Sequence, residues 1–407
     1  MPLLLYDDAM ALLRGLPIDS GAVTVPLAEA AGKVLARDVV ANCDQPPFDR
    51  ATMDGFALLP ADEPSFRVVG TVMAGERRES ALGAGEAVAI MTGAPVPTGC
   101  CVIPVELTQR EGQVMTTEVG YELRAGRNVA RQGEDAKKGD LVLRAGTRLS
   151  PAGLAAAAMA GATGLSVFDP PRLGICTTGD EVGSDGPAGV ADCNGPLLSA
   201  LAEALGVPAE RKHARDEPAH LKETLESLAA MSDVVVTVGG VSMGEKDLVP
   251  GMAQELGFEK VLHKVAIQPG KPVFLAQRAD GKVFIGLPGN PVSVLATAHL
   301  FLAPLLGRFM GDWEPAWIER PLAHDHAHRG KRRLFLPARL EANGLHPVAW
   351  NGSGDLYSAT AAHGFVDLAA GGSWAQGDLL RFLPYLGQGP GEHSVMPARV
   401  GGEAPCC

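Results

Sequence analysis

The sequence has no excess of basic residues, no CxxC pair and no long apolar run at its N-terminus. Lysine and arginine total 35 against 47 aspartate and glutamate residues, so the net charge is -12. General nucleic-acid binding is therefore disfavoured, because that affinity depends on many cationic contacts to phosphate. We expect the seven cysteines to be reduced thiols, with a zinc or redox site as the minor alternative.

Targeting signals are also scarce. The N-terminal apolar run is too short for a signal-peptide core, and Asp7 and Asp8 stand where a basic start is required. The longest uncharged stretch, residues 149–168, begins with Ser150 as a helix N-cap and Pro151 at the first helical position. These features predict a cytoplasmic protein that does not bind a membrane.

The common phosphate-binding motifs are missing, since neither GxxxxGK[ST] nor a GxGxxG after a strand occurs. A P-loop NTPase and a Rossmann dehydrogenase are therefore disfavoured. Short apolar runs rich in β-branched residues instead predict buried parallel strands at 172–176, 233–238 and 283–287. Helical patterns alternate with them after Asn194, at 217–231 and from Pro291. This alternation predicts a doubly wound α/β domain over residues 166–312.

The remaining segments differ in composition. Residues 44–130 contain short β-like runs broken by glycine and proline, which predicts an inserted β-rich domain. Residues 313–387 again alternate short strands and turns, and predict a small C-terminal β-barrel or sandwich. Residues 388–407 have little apolar surface to bury and predict a loose tail.

Four glycine-containing polar loops follow predicted strands in the α/β domain, at 177–181, 239–247, 268–272 and 287–293. Loops at the carboxyl ends of parallel strands converge on one crevice, so the four loops predict one site. Each loop alone is more often a plain turn. Glycines and helix starts suit a phosphate-bearing anion. The predicted binding residues are Thr178, Gly179, Gly239, Gly240, Ser242, Gly244, Pro269, Gly270, Pro288, Gly289, Asn290, Pro291 and Ser293.

Charged side chains accompany these loops. Lys264 and Lys271 supply full positive charge for an anionic ligand. Asp180, Glu181 and Asp247 carry hard oxygen atoms that can hold a divalent metal ion such as Mg²⁺. A metal ion that bridges carboxylates and phosphate helps to break a phosphoanhydride.

Two basic segments follow the α/β domain. His324, His326 and His328 alternate, which predicts three imidazoles on one face of a strand. An exposed polar face is the favoured interpretation, and a metal site is the alternative. The cluster 329–333 is interpreted as a solvated turn, with an anion contact as the alternative.

The loop sequences carry a family resemblance. TTGDE, GGVSMGEKD, PGKP and LPGNPVS, in this order, resemble the molybdopterin-binding domain shared by the MoeA family and the E domain of gephyrin. FDRATMDGFA, IMTGAPVP and RQGED in the first half are similar to further MoeA motifs. Single-domain molybdopterin adenylyltransferases are not expected to have these additional motifs. The resemblance spans about residues 4 to 385.

The resemblance implies an elongated homodimer of four-domain chains, with a linking domain in two segments at 1–43 and 131–165. It implies that molybdate is inserted into adenylylated molybdopterin in a divalent-metal-dependent reaction that yields molybdenum cofactor and AMP. A molybdopterin adenylyltransferase and molybdoenzyme maturation proteins are further candidate partners. A scaffold or storage protein that only binds the cofactor, and an adenylyltransferase, are the alternative functions.

The resemblance also implies roles for single residues. Asp180, Glu181, Asp216 and Asp247 would serve metal, pterin phosphate or molybdate, while Lys264 and Lys271 would neutralise anion charge. Asp54 alone would be interpreted as a turn former. The resemblance instead implies that residues of the partner subunit face the same crevice, namely Asp54, Thr92, Arg131 and Asp135.

One position departs from the family pattern. The loop that reads KPGKP in some members begins with Gln268 here, so a cationic side chain is replaced by a neutral one.

Overall fold

A computed structural model describes residues 3–76, 78, 80–118, 120–183, 189–240 and 248–387. The predicted tail at 388–407 lies outside these residues. Helices and strands are numbered in chain order. The helices are α1 (Tyr6–Arg14), α2 (Pro151–Met159), α3 (Asn194–Leu205), α4 (Pro218–Met231), α5 (Val249–Glu255), α6 (Pro291–Thr297), α7 (Ala303–Arg308) and α8 (Leu356–Ala359), with 3-10 turns at Leu27–Glu29 and Val105–Leu107 and a π turn at Ala298–Leu302.

The first eleven strands precede helix α2. They are β1 (Ala22–Pro26), β2 (Val39–Val40), β3 (Arg50–Ala51), β4 (Gly55–Leu58), β5 (Ser65–Val72), β6 (Glu86–Ile90), β7 (Cys101–Pro104), β8 (Thr108–Glu111), β9 (Val114–Thr117), β10 (Val129–Ala130) and β11 (Leu141–Leu143). The later strands are β12 (Gly164–Phe168), β13 (Leu173–Thr178), β14 (Ala209–Ala214), β15 (Val234–Val238), β16 (Glu259–His263), β17 (Ile267–Gln268), β18 (Phe274–Gln277), β19 (Val283–Leu287), β20 (Ile318–Pro321), β21 (His326–Ala327), β22 (Arg333–Glu341), β23 (Gly344–Pro347), β24 (Gly364–Leu368), β25 (Ser373–Trp374) and β26 (Leu379–Pro384).

The chain forms two compact units. One contains Met1–Val23, Gly32–Ala36 and the chain from Val167 onward, and the other contains Thr24–Ala31 and Arg37–Ser166. We call them the α/β unit and the β-rich unit. The predicted linking segment 1–43 contributes residues to both units, so the predicted domain boundaries stay predictions.

The α/β unit contains a six-stranded sheet with the order β14-β13-β15-β19-β18-β16. The three predicted apolar runs form β13, β15 and β19, and these strands are parallel as predicted. Strands β18 and β16 add an antiparallel edge. Strand β16 therefore runs in the same direction as β19, because two successive antiparallel pairings restore the direction.

Helices cover both faces of this sheet. Successive side chains of each strand point to opposite faces of the sheet and so pack in different hydrophobic cores. Val234 and Val236 of β15 pack with α3 and α6 in one core, whereas Val235 packs with α4 and α5 in the other. Helix α3 ends at Gly206, whose left-handed φ of 71° suits a glycine C-cap.

The β-rich unit is organised around a six-stranded sheet with the order β7-β4-β6-β5-β9-β8. Strands β5 and β6 are parallel, while the other neighbours are antiparallel. Both faces of β4 are buried, with Phe56 and Leu58 on one side and Ala57 on the other. This sheet lies in the segment that was predicted to be β-rich.

A third six-stranded sheet lies in the α/β unit, and most of its strands follow the helical stretch 291–308. Its order is β17-β22-β24-β26-β20, and β23 also pairs with β22. Strand β17 comes from the α/β segment and pairs in parallel with β22, so residues 267–268 are held against residues 333–334. The closed barrel stays a prediction.

Two local predictions need correction. Asn290 occupies the N-cap position of α6, but its side chain makes no capping hydrogen bond and instead donates to Ser353. The three alternating histidines do not share a strand, because β21 comprises only His326 and Ala327. His328 is buried, and its ring lies 2.8 Å from the carbonyl oxygen of Arg332, with which it hydrogen bonds.

The helical stretch 291–308 has the length and apolar composition of a membrane span. However, 83% of it is buried inside the protein. Its apolar residues pack in the same core as β15 and β19. It is therefore interpreted as a core helix of the α/β unit.

His299 in this stretch is fully packed and neutral. Its Nε2 accepts a hydrogen bond from the Leu386 backbone N–H at 2.9 Å, so Nδ1 carries the proton and donates to the Leu295 carbonyl at 2.8 Å. Burial lowers the pKa of His299 to about 4. Protonation would place a second N–H against that of Leu386 and leave a buried charge.

We predict a pH-dependent stability from this residue. Unfolded His299 has an ordinary pKa near 6.5, so between about pH 6.5 and 4 the unfolded chain binds more protons. Stability is thus lost as pH falls, by up to about 3 kcal/mol for this group. Denaturant unfolding at several pH values should show that the free energy of unfolding falls less steeply with pH for His299→Gln than for the wild type. Equal slopes of this free energy against pH for both proteins would contradict this assignment.

Candidate functional site

The carboxyl ends of four parallel strands lie at one edge of the α/β sheet. Loops after β13, β14, β15 and β19 therefore emerge side by side, at about 5 Å per strand. The connection from β16 to β18 starts at the same edge, since β16 runs in the direction of β19. This geometry brings the described parts of the predicted loops together.

A cavity of about 540 Å³ lies among these loops. Its wall includes most of the predicted binding residues that are described, and it also includes residues beyond 330. The predicted ones are Gly239, Gly240, Pro269, Gly270, Lys271, Pro288, Gly289, Asn290 and Ser293. The others are Gln268, Pro272, Arg332, Trp350, Gly352 and Ser353.

The cavity wall is cationic. Lys271 is exposed, and its ammonium group has no ion-pair partner among the described residues. Arg332 also lines the cavity and donates a hydrogen bond to the Ile267 carbonyl at 3.0 Å, which orients its guanidinium. No described wall residue carries a negative charge. The cavity can therefore attract an anion although the whole chain is acidic.

Close backbone approach shapes the cavity floor. Gly270 has a φ of 99°, and a Cβ atom there would lie 2.3 Å from Cγ2 of Thr297. Ser293 is 4% exposed and lines the cavity. Its hydroxyl makes no hydrogen bond to another described residue, so it can serve a ligand. A glycine loop and a buried hydroxyl are typical of an oxyanion-binding site.

The segment around Ser353 closes one side of the cavity. Its carbonyl accepts a hydrogen bond from Val292 N–H at 2.9 Å, and its hydroxyl accepts one from Asn290 at 2.8 Å. Ser353 therefore caps the start of α6. Ser353 and Trp350 were not predicted as site residues, because no local sequence pattern indicates that this segment contacts the helix.

Two of the predicted acidic residues meet at the neighbouring strand ends. The Asp216 backbone N–H donates to Asp180 Oδ1 at 3.2 Å. The carboxylate of Glu181 lies over Gly179, within 2.9 Å of where a Cβ atom would stand. Thr178 donates its hydroxyl to the Val238 carbonyl at 3.0 Å. The acidic loop thus lies beside the strand that leads to Gly239.

The predicted metal site is only partly described. Asp247, Ser242 and Gly244 lie outside the described residues. Within the described part of the chain, no three His, Cys, Asp or Glu side chains form a metal-binding group. Lys264 has a left-handed φ of 68° and is not among the described residues that line the cavity. Its role and the metal site stay predictions.

The remaining predicted residues lie in the β-rich unit. Thr92 donates both its backbone N–H and its hydroxyl to Asp54 Oδ1, at 2.6 and 2.7 Å. These bonds, the backbone one first, lower the pKa of Asp54. Asp54 thus joins two loops and stays ionised, which agrees with both a turn-forming and a ligand-binding role.

Arg131 and Asp135 occupy one turn of this unit. Arg131 forms an ion pair with Asp49 at 3.0 Å. The Asp135 backbone N–H donates to the Gln45 carbonyl at 2.9 Å. The carboxylate of Asp135 makes no hydrogen bond or ion pair with another described residue. These contacts hold the turn in place, and the predicted roles of both residues stay predictions.

Comparison with known proteins identifies two family segments. Residues 4–161 match the family described as "MoeA N-terminal region (domain I and II)". Residues 174–308 match the "Probable molybdopterin binding domain" family. The second segment contains the acidic loop and most of the cavity loops.

Whole-chain relatives agree with this result. A molybdopterin molybdenumtransferase of Synechococcus elongatus is 34% identical over 79% of this chain and 83% of its own length. One of Staphylococcus aureus is 31% identical over 86% of this chain and 88% of its own length. A crystal structure of the molybdopterin biosynthesis protein MoeA from Pyrococcus horikoshii matches with a TM-score of 0.80 and 28% identity, over 94% of this chain and 100% of that chain. The chain therefore belongs to the molybdopterin molybdenumtransferase (MoeA) family of transferases in molybdenum cofactor biosynthesis.

Proposed function

We propose that the protein inserts molybdenum from molybdate into adenylylated molybdopterin and releases molybdenum cofactor and AMP. Both substrates are anions, and the observation that carries the proposal is the cationic cavity at the strand ends. Family membership supports the reaction, because the relatives named above are molybdopterin molybdenumtransferases.

Each part of the cavity has a proposed task. Lys271 and Arg332 would attract the oxyanion, and the Ser293 hydroxyl would donate a hydrogen bond to it. Gly239, Gly240 and Gly289 would let backbone N–H groups approach phosphate oxygens. These groups bind and orient the substrates, which lowers the entropic part of the barrier.

A divalent metal ion such as Mg²⁺ fits the donor chemistry of the acidic loop. Asp180 and Glu181 would hold the ion, together with Asp247, because Mg²⁺ prefers hard carboxylate oxygens. When bound, the ion would neutralise phosphate charge during cleavage of the phosphoanhydride. Asp216 would support this group through its backbone hydrogen bond to Asp180.

Release of AMP tests the proposed function. Purified protein is mixed with adenylylated molybdopterin, Mg²⁺ and molybdate, and AMP is measured by chromatography. We expect AMP to appear only when molybdate is present, and to disappear when a chelator removes the divalent metal. AMP release at the rate of a protein-free blank would rule out the proposed enzyme.

A substitution at Gln268 is predicted to strengthen anion binding, because Gln268 lines the cationic cavity. Gln268→Lys should tighten molybdate binding about fivefold, since one added cation near a partly exposed anion contributes about 1 kcal/mol. Gln268→Met is the neutral control. Calorimetric titration with molybdate measures both variants, and weaker binding by Gln268→Lys would show that the anion requires a hydrogen bond from the Gln268 amide.

We also propose, from the family resemblance, a cytoplasmic homodimer in which Asp54, Thr92, Arg131 and Asp135 serve the partner's site. Chains carrying Asp54→Ala are mixed with chains carrying Lys271→Met, after dissociation, so that they pair at random. Half of the dimers are then mixed, and each has one intact site, so activity should recover to about a quarter of wild type. Absence of recovery, with mixed dimers verified by mass spectrometry, would reject the shared site.

A further inference from the structure

Trp350 is the one aromatic side chain among the described residues that line the cavity. It is half-buried and packs against the core formed by Leu334, Leu336 and Val366. Trp350 therefore packs on this apolar core and also contributes to the cavity wall. The sequence around Trp350 did not predict that this residue lines the cavity.

The backbone on both sides of Trp350 is anchored. Val348 N–H donates to the Pro337 carbonyl at 2.8 Å, and Asn351 N–H donates to Asp355 at 3.0 Å. Ser353 joins the same segment to the start of α6. An indole held in this way loses little conformational freedom when a ligand contacts it.

The cavity wall combines two kinds of chemistry. Lys271, Arg332 and Ser293 suit an oxyanion, whereas Trp350 and Pro288 offer apolar surface. An oxyanion such as molybdate gains nothing from an indole face. A planar heteroaromatic ring gains stacking energy, because aromatic faces attract such rings without regard to the ring substituents.

We propose that Trp350 stacks on the pterin ring of the substrate and contributes to its selection. This inference rests on the proposed function, since it takes the pterin as the ring to be bound. Trp350 would act on pterin affinity, and Lys271 and Arg332 would act on oxyanion affinity. Mutations can therefore change the affinity for one ligand without changing the affinity for the other.

The experiment measures binding without turnover. The probes are 6-hydroxymethylpterin phosphate, followed by its own fluorescence, and molybdate alone, followed by calorimetry. Trp350→Ala should weaken pterin phosphate binding about tenfold, equivalent to 1.4 kcal/mol, while molybdate binding changes less than twofold. Trp350→Phe should retain most of the affinity, because a smaller aromatic face remains.

Trp374 provides a matched control. It is also half-buried and packs against the same core, but it is not among the described residues that line the cavity. Trp374→Ala should reduce thermal stability as much as Trp350→Ala does, and should leave pterin phosphate binding unchanged. An equal loss of affinity in both variants would reduce Trp350 to a packing role and overturn the proposal.

The outcomes distinguish this inference from the proposed function. No binding of pterin phosphate by the wild-type protein, or unchanged binding by Trp350→Ala, would overturn the role of Trp350 whatever the enzyme releases. Tryptophan-dependent binding of pterin phosphate by a protein that releases no AMP would support Trp350 and reject the insertion reaction.

Discussion

Lys271→Met is expected to lower kcat/KM with molybdate by about 100-fold, because it removes a cation from a cavity that must hold charged substrates. Methionine has a similar length, so the apolar stem can keep its place. The neighbouring backbone contact, from Val265 N–H to the Lys271 carbonyl at 2.9 Å, does not involve the side chain. Steady-state AMP release at varied molybdate concentration measures this effect.

Lys260→Met is the matched control for this variant. Lys260 is exposed on β16 and is not among the described residues that line the cavity. The Lys260→Met variant should retain wild-type kinetics, although it changes the net charge of the protein by the same amount as Lys271→Met. If both variants lost activity to the same extent, a long-range effect of net charge would explain the result, and Lys271 would have no local role.

Arg333→Met is expected to destabilise the α/β unit by about 3 kcal/mol. Arg333 donates two hydrogen bonds to Asp367, at 2.7 and 2.6 Å, and also pairs with Asp7 of α1 at 2.9 Å. The side chain of Asp367 is only 5% exposed. The variant would leave this buried carboxylate with Arg381, 3.7 Å away, as its remaining cationic neighbour. Calorimetric unfolding should show a transition lowered by several degrees.

Lys222→Met serves as the control for this ion pair. Lys222 pairs with Glu255 at 3.0 Å, but both side chains are about half exposed. Solvent screens such a pair, so its loss should not shift the unfolding transition measurably. A comparable shift in both variants would mean that burial of Asp367 does not determine the effect.

The fold of the α/β unit was largely predictable, because the apolar sequence patterns that indicate its strands and helices are local. Strands β13, β15 and β19 were recognised from continuous apolar runs. The antiparallel strands β16 and β18 were not recognised. In β16 the charged and exposed residues Glu259 and Lys260 hide the pattern of a buried strand, and β18 is a run of only four residues.

The candidate site was predictable only where it follows strands. Gly239, Lys271 and Gly289 were predicted to share one crevice and line the same cavity, because the edge of a parallel sheet determines where such loops meet. Trp350 and Ser353 were missed as cavity residues, and Arg332 belongs to the cluster 329–333, for which an anion contact was only the alternative interpretation. They reach the cavity through contacts between distant segments, such as Asn290 with Ser353, which pattern and spacing do not encode.

The most direct test of the central claim is the ratio of AMP released to molybdenum bound to the pterin in a single reaction. Adenylylated molybdopterin is incubated with the protein, Mg²⁺ and molybdate, and the pterin product is separated for elemental analysis. We expect one AMP for each molybdenum atom in the wild-type reaction, and formation of both products about 100-fold more slowly with Lys271→Met. AMP release without molybdenum in the pterin would contradict the account, because the protein would then be a hydrolase of the adenylate.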